Sequence, residues 1–205
     1  MEAGWQYIEG GDYRHRNHFP YVLKYAFDED WGVLVGGDSY ISQLEKDEIF
    51  SNEGYGSIAA QLKHRITWNE NLHFGVETGL AHRVMDGGVT DGILNGIYSH
   101  DIGPVRVDIN LGLTRLGENV PGQSPWIGAW QLAVGFPLDG DFGGAIEVSG
   151  YHQTGEPAFT QILGTLNYAL HPLVVLDTGI ALGTSQAAHD VSIFNGVAIL
   201  LWRVY

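Results

Sequence analysis

The sequence PVRVDINLGLT at residues 104–114 sets the pattern that decides the fold. After the proline, apolar and polar side chains alternate without a break. One face carries Val105, Val107, Ile109, Leu111 and Leu113. The other face carries Arg106, Asp108, Asn110, Gly112 and Thr114. Because successive residues of a β-strand point to opposite sides, this segment is predicted to be a strand with one apolar face and one polar face.

The same period of two recurs along nearly the whole chain, and no segment shows a convincing helical pattern. Strong alternation occurs at residues 19–27, 57–68, 72–83, 104–114, 126–136, 142–149, 161–170 and 174–183. Weaker segments lie at 2–9, 31–42, 93–101 and 190–205. Together they predict twelve strands of roughly 9–14 residues, and a tilted strand needs about 9–11 residues to cross a bilayer.

The predicted connections between these strands alternate in length. The long ones are residues 10–17, 43–54, 85–92, 116–125, 153–157 and 184–189. The short ones are residues 28–30, 69–71, 102–103, 137–141 and 171–172. Short turns at one end and longer loops at the other are typical of outer-membrane barrels, in which an even strand count leaves both termini at the short-turn end.

The composition excludes several classes of protein. The 205 residues include 24 acidic and only 10 basic side chains, for a formal charge of −14, which argues against nucleic-acid binding. Without cysteine the chain has no disulfide framework and no thiolate metal site. Hydrophobic residues reach 44%, yet no run of about 18 apolar residues predicts a membrane helix.

The two faces of the strands decide between a soluble and a membrane protein. The polar faces are dominated by Gly, Ala and Ser, which suit a crowded barrel interior better than a surface in water. Twelve strands with an apolar face are also more than the single core of a soluble protein of this length would use. We therefore predict a single domain over residues 1–205, an all-β transmembrane antiparallel up-and-down β-barrel of 12 strands with its apolar faces toward lipid. The alternative is a soluble β-barrel binding protein, whose apolar faces would form the core.

The charged and amide residues on the polar faces are the candidate functional residues. On this interpretation they line the pore, where ions can be paired or hydrated, whereas a Lys or Arg facing lipid would cost about 2–4 kcal/mol at mid-bilayer. The predicted pore-lining residues are Lys24, Asp38, Lys63, Arg65, Glu77, Arg83, Arg106, Asp108, Gln131, Glu147 and Asp177. No catalytic residue, metal ligand or cofactor is predicted.

Two stretches resemble a known family. Residues 19–40, FPYVLKYAFDEDWGVLVGGDSY, carry a Leu-Lys-Tyr strand, an acidic turn and a Gly-rich strand that ends near an Asp. Residues 168–201 carry a tight turn with Pro, a strand with Leu-Asp-x-Gly, a loop with an Asp and a last strand. Both are similar to the outer-membrane channels of the MetA pathway of phenol degradation. The resemblance implies a twelve-stranded monomeric channel for small hydrophobic or aromatic compounds, with Lys24, Asp38 and Asp177 facing its lumen.

The function predicted from the sequence is passive uptake of small hydrophobic or aromatic molecules across the bacterial outer membrane. The expected partners are the outer-membrane lipid, the lipopolysaccharide and the solute, with no nucleic acid, and the barrel is expected to be a monomer. Loop residues Leu44, Ile49, Phe50 and Val120 either fold inward to form an apolar entry or pack against neighbouring loops.

An outer-membrane hydrolase of lipids or esters is the enzymatic alternative. Ser99, His100 and Asp101 are adjacent in sequence, but alternate residues of a strand point to opposite faces. His189 and Asp190 of the last long loop could pair with Ser185 or Ser192, and the alternative is a solvated loop. The chain contains no nucleophile-elbow, phosphate-loop or HExxH pattern. We therefore expect no enzymatic activity.

Two further groups of residues suggest contacts with the membrane. Arg14, His15, Arg16 and His18 form a basic cluster that either meets lipid phosphates or pairs with nearby acids. Aromatic residues near the strand ends predict two girdles at headgroup depth. The short-turn girdle is Trp31, Trp68, Phe74, Phe136, Phe142, Tyr168 and Trp202. The long-loop girdle is Phe19, Tyr21, Tyr55, Trp126, Trp130 and Phe159. Tyr205 resembles the terminal aromatic residue of the outer-membrane assembly signal.

Overall fold

A computed structural model describes residues 1–85 and 87–201, and the secondary structure within them is entirely β. The strands are β1 (Glu2–Gly10), β2 (Tyr13–Ala26), β3 (Trp31–Glu45), β4 (Asn52–Gly54), β5 (Ser57–Asn69), β6 (Leu72–Arg83), β7 (Val89–Ile102), β8 (Val105–Arg115), β9 (Trp126–Pro137), β10 (Phe142–Gln153), β11 (Phe159–His171), β12 (Val174–Gly183) and β13 (Val191–Ile199). None of the described residues belongs to a helix that is both long and apolar enough to cross a membrane.

Twelve of these strands form a closed antiparallel barrel, as the sequence predicts. Each strand pairs with its neighbour in the chain, and β1 closes the ring because it pairs with both β2 and β13. Glu2, for example, lies opposite Val22 on one side and Ala198 on the other. The short β4 pairs only with the outer part of β3. A closed ring leaves no free edge among the twelve strands, as backbone groups in lipid require.

The apolar faces of the strands point outward. Leu80 and Leu111 keep 60% and 63% of their surface exposed, and Ile146 and Leu182 are also exposed. The soluble interpretation requires these side chains to be sealed inside, so the exposed apolar belt contradicts it. Large contiguous apolar surface is rare on soluble monomers and is expected where a protein faces hydrocarbon.

The strand ends differ from the prediction at the long-loop end. The predicted loop 10–17 is instead a tight turn, and β2 already begins at Tyr13. Gly10 and Gly11 make this turn possible because their positive φ angles of 92° and 63° disfavour other residues. Polar residues on both faces of β2 between Tyr13 and Asn17 hide the alternation that would reveal a strand. The predicted loop 43–54 likewise contains the end of β3 and the whole of β4.

The apolar loop residues do not form an inward-folded entry. Ile49 and Phe50 are 86% and 84% exposed, so they neither line the lumen nor pack against other loops. Leu44 belongs to β3, opposite His15, and Val120 is exposed. The inward-folded entry is therefore wrong, and Ile49 and Phe50 also do not pack against neighbouring loops.

The aromatic girdles are mostly present, with one exception. At the short-turn end Trp31, Trp68, Phe74 and Phe142 are exposed, and at the long-loop end Phe19, Tyr55, Trp126 and Trp130 are exposed. Phe159 is only 7% exposed, and its assignment to the long-loop girdle is wrong. It lies opposite Tyr151 on the inward face. Trp202 and Tyr205 lie outside the described residues.

Candidate functional site

The register of the strands defines the inward face of the barrel, because residues opposite each other in neighbouring strands share a face. Glu77 lies opposite Lys63 on β5 and Asn95 on β7. Asp177 lies opposite Asn167 on β11 and Gly196 on β13. Followed around the ring, the register places all the predicted pore-lining residues on the face opposite the exposed aliphatic belt: Lys24, Asp38, Lys63, Arg65, Glu77, Arg83, Arg106, Asp108, Gln131, Glu147 and Asp177.

Each basic residue of this set has a carboxylate partner. The closest pairs are Lys24 Nζ with Glu2 Oε1 at 2.5 Å, Lys63 Nζ with Glu77 Oε1 at 2.9 Å, Arg83 Nε with Asp91 Oδ2 at 2.8 Å, and Arg106 Nε with Asp108 Oδ2 at 3.1 Å. Arg106 Nη1 also lies 3.8 Å from Asp101, and Arg65 Nε lies 3.9 Å from Asp30 in the β2–β3 turn. The positive charge of these five side chains is therefore largely compensated along the wall.

Four of these acidic partners are not among the predicted pore-lining residues: Glu2, Asp30, Asp91 and Asp101. Asp91 fell in the predicted loop 85–92, and Asp30 lies in a turn. Pairing across strands depends on register, which no pattern within one strand reveals.

Amide side chains extend the polar wall across β8, β9 and β10. Asn110 Nδ2 donates to Gln131 Oε1 at 2.5 Å, and Gln131 Nε2 donates to Glu147 Oε2 at 2.5 Å. Asn95 Nδ2 donates to Glu77 Oε2 at 3.4 Å on the neighbouring strands. These side chains satisfy one another along the wall and so do not need a solute as their partner.

A second polar chain crosses the opposite part of the wall, from β13 through β1 and β2 to β3. Gln6 Nε2 donates to Ser192 Oγ at 2.6 Å, and Gln6 Oε1 lies 2.8 Å from His18 Nε2. His18 Nδ1 lies 2.7 Å from Asp38 Oδ1. A carboxylate only accepts hydrogen bonds, so the His18 ring is the donor to Asp38. The contact between Gln6 and Ser192, which are 186 residues apart, is not predicted by any pattern within one strand.

The basic cluster at residues 14–18 is divided between different surroundings. His18 pairs with Asp38 on the neighbouring strand, while Arg14 is exposed and donates to the carbonyl of Lys46 at 2.9 Å. Arg16 lies opposite Ile8 on the inward face. The residues therefore do not act as one cluster toward lipid phosphates.

Two cavities lie between these walls. One of about 760 Å³ is lined mainly by β1, β2, β12 and β13, and includes Val22, Asp177 and Phe194. Another of about 420 Å³ follows β7 to β11 past Asn110 and Gln161. Glycines on the inward face make room beside the first cavity. A Cβ at Gly196 would lie 2.6 Å from Asp177 Oδ1, and one at Gly179 would lie 2.4 Å from the Phe194 ring.

Aromatic side chains form a row at the long-loop end of the lumen. Tyr151 stacks on Phe159, with 4.7 Å between ring centroids and 10° between planes. Phe159 meets the His189 ring edge-on at 5.4 Å, and His189 lies 6.2 Å from the Tyr13 ring. We call these four residues the aromatic row. It runs along one side of the mouth from β10 and β11 to the start of β2.

The β12–β13 loop, residues 184–190, holds His189 in this row. Ser185 Oγ accepts the Thr160 amide at 3.0 Å, and the Asp190 amide donates to the Glu9 carbonyl at 2.9 Å. Ala188 is buried. Burial, followed by the nearby Arg16 charge, lowers the pKa of His189 below its usual value. The loop thus narrows one side of the mouth with a largely neutral imidazole at neutral pH.

The candidate hydrolase residues do not form a catalytic arrangement. Ser99 Oγ donates to Asp108 at 2.5 Å on the inward face, whereas His100 lies on the outer face within 3.2 Å of Tyr98 Oη. Ser185 and Ser192 bond to Thr160 and Gln6, as described above. Within residues 1–85 and 87–201, neither group brings a serine hydroxyl into hydrogen-bond contact with a histidine ring, which an activated serine requires.

Comparison with known proteins gives similarity in fold without similarity in sequence. No family model matches the chain, and no curated protein matches it. The resemblance to the MetA-pathway channels therefore stays a prediction.

Solved structures do match over nearly the whole chain. The KdgM porin in complex with disordered oligogalacturonate has a TM-score of 0.66 at 7% identity, covering 98% of this chain and 100% of that chain. The CymD monoaromatic hydrocarbon channel has a TM-score of 0.61 at 10% identity, covering 97% of this chain and 87% of that chain. The OmpT outer membrane protein of Vibrio cholerae, in its trimer form, has a TM-score of 0.52 at 10% identity, covering 98% of this chain and 97% of that chain. The chain thus has the fold of outer-membrane barrels, among which are porins and channels.

Proposed function

We propose that this protein is a passive channel of the bacterial outer membrane for the uptake of small hydrophobic or aromatic molecules. The observation that carries the proposal is the combination of a closed barrel, an apolar outer face and a lumen that contains cavities between self-satisfied polar walls. Walls of this kind hold a passing solute weakly, as diffusion without an energy source requires.

The charge arrangement favours small solutes over polyanions. An anionic oligosaccharide would need several unpaired cations, whereas Lys24, Lys63, Arg65, Arg83 and Arg106 each have a carboxylate within 4 Å. The KdgM porin is named for a complex with oligogalacturonate, and this wall is poorly suited to such a ligand. The CymD channel is named for monoaromatic hydrocarbons, and the aromatic row is compatible with that kind of solute.

The outer face of the barrel also supports a proposal about the membrane and the partners of this protein. The exposed aliphatic belt and its aromatic borders fit a bilayer with lipopolysaccharide on the long-loop side. Because every strand of the ring is paired on both sides, the barrel needs no second subunit to close it. We therefore propose a monomer with outer-membrane lipid, lipopolysaccharide and a small solute as its partners. The proposal assigns it no nucleic acid, cofactor or catalytic role.

Reconstitution tests the proposal directly. The purified chain is inserted into planar bilayers for ion conductance, and into vesicles with a lipopolysaccharide outer leaflet for uptake of radiolabelled toluene and phenol. We expect stepwise conductance and uptake above that of protein-free vesicles. Folded, inserted protein that neither conducts nor speeds uptake would contradict the channel. Turnover of a lipid or ester substrate that disappears in Ser192→Ala would favour the hydrolase instead.

A further inference from the structure

Arg16 differs from the other basic residues on the inward face. No carboxylate among the described residues lies within 4 Å of its guanidinium, whereas each of the five other inward basic residues has one. Its hydrogen bond and its ring contact are both with Tyr13: Nη1 donates to the hydroxyl at 3.2 Å, and the guanidinium carbon lies 5.4 Å from the ring centroid. Its charge also acts at longer range on Asp38 and His189. The Nε atom is buried and has no hydrogen-bond partner among the described residues. The guanidinium charge is therefore not satisfied by an ion pair within 4 Å among the described residues.

This arginine also stands at one end of the aromatic row. Tyr13 contacts both Arg16 and His189, and the row continues from His189 to Phe159 and Tyr151. The 420 Å³ cavity borders Tyr151 and Phe159 on the lumen side. An incoming molecule therefore meets a guanidinium that has no carboxylate within 4 Å among the described residues, beside aromatic ring faces, before it reaches the paired ions of the interior.

We propose that Arg16 and the aromatic row form an entry site for small aromatic monocarboxylates, with benzoate as the simplest example. The guanidinium fork matches a carboxylate through two parallel hydrogen bonds, and the rings of the row pack against the ring of the solute. As a step in uptake this site rests on the channel function proposed above. Binding at the site does not depend on that function.

The charge balance points to a single carboxylate. One unpaired cation compensates one negative charge, and the basic residues deeper in the lumen already have acidic partners. The overall charge of −14 repels anions from the protein, but ions in solution screen exposed charges beyond about 8–10 Å. Binding of the solute at the site therefore depends on contact with Arg16. Deeper in the lumen the solute is released, because the wall there offers no second cation without an acidic partner.

Ligand-observed saturation-transfer NMR on the folded full chain in detergent tests the site apart from transport. The probes are sodium benzoate, benzamide and cyclohexanecarboxylate. We expect benzoate to bind at least about tenfold more tightly than benzamide, which lacks the charge, and more tightly than cyclohexanecarboxylate, which lacks the aromatic ring. Arg16→Gln should reduce benzoate binding to the level of benzamide, and Arg16→Lys should give an intermediate affinity because it keeps the charge without the fork.

The matched control is Arg14→Gln, two residues away on the same strand, because the exposed Arg14 side chain donates to a loop carbonyl. It should bind benzoate as the wild type does. Heat-modifiable migration on a gel checks that each variant is folded. Phe159→Leu provides an independent test, since it should weaken benzoate binding more than cyclohexanecarboxylate binding.

Equal affinity for benzoate and benzamide, or undiminished benzoate binding by Arg16→Gln, would overturn the site. Failure of the site is distinct from failure of the channel. Uptake of toluene without benzoate binding rejects the entry site alone. Benzoate binding by a protein that passes no solute rejects the channel and keeps the site.

Discussion

Lys63 and Glu77 lie opposite each other in the register of β5 and β6, and Lys63 Nζ is 2.9 Å from Glu77 Oε1. Asn95 on β7 donates to the second oxygen of the same carboxylate. Glu77 therefore binds the Lys63 amine on one neighbouring strand and the Asn95 amide on the other. Its carboxylate compensates the Lys63 charge near the middle of the wall. The ionic character of the lumen depends on such pairs more than on the total charge of the chain.

Glu77→Gln should shift the ion selectivity of the channel. The substitution keeps the shape of the side chain but leaves the Lys63 charge without its partner, so anions should pass more easily. We expect the cation-to-anion permeability ratio, measured from the reversal potential in a salt gradient, to fall roughly two- to threefold. Glu70→Gln in the exposed β5–β6 turn removes the same charge outside the wall and should leave the ratio unchanged. An equal shift in both variants would refute the assignment of Glu77 to the conducting path.

Gly112→Trp should reduce conductance by filling the lumen. Gly112 faces inward between Asn95 and Ala129, and the nearest atom to an added Cβ would be Ala129 Cβ at 3.4 Å. Because this face of β8 points into the barrel, we expect the indole to occupy lumen space and single-channel conductance to fall roughly two- to tenfold. The control is Gly96→Trp on the outward face of neighbouring β7, where the ring would face lipid. If both variants conduct like the wild type, the path does not pass Gly112.

Leu111→Arg should destabilise the barrel in lipid. Leu111 is the most exposed aliphatic residue of β8 and lies in the apolar belt. Its replacement puts a charge into hydrocarbon at a cost of about 2–4 kcal/mol near mid-bilayer. Reversible urea unfolding in lipid vesicles measures the change. Thr114→Arg, on the inward face of the same strand, should cost less than about 1 kcal/mol because the charge reaches water. A similar loss in the two variants would mean that the faces are assigned incorrectly.

The alternation along single strands was enough to predict the barrel and the direction of its faces. Residues 104–114 carry this signal in both the sequence and the structure, because lipid selects apolar side chains at every second position. The same pattern failed for the start of β2, where polar side chains occupy both faces outside the apolar belt. There the tight turn at Gly10 and Gly11, not periodicity, determines where the strand begins.

The candidate site was less accessible to sequence reasoning. Alternation predicts that Glu77 and Lys63 share a face, but their contact depends on the register between strands. Gln6 and Ser192 meet only because β1 closes the ring with β13. The sequence pattern places Phe159 in the long-loop girdle because a position near a strand end fits a headgroup contact equally well. Its place in the aromatic row depends on the register of β10 and β11.

His189 should make stability depend on pH below neutrality. Burial and the neighbouring Arg16 charge lower its pKa in the folded protein, so the unfolded chain binds its proton more readily. The stabilisation is complete above the unfolded pKa of about 6.5 and is lost as the pH falls toward the lower folded value. His189→Phe keeps a ring against Phe159 without a titrating group, and urea unfolding at pH 8 and pH 5.5 should show a smaller decrease for it than for the wild type. His152→Gln, an exposed position outside the row, should retain the wild-type decrease. If His189→Phe loses as much stability on acidification as the wild type, the protonation that matters occurs elsewhere and His189 does not sense pH at the mouth.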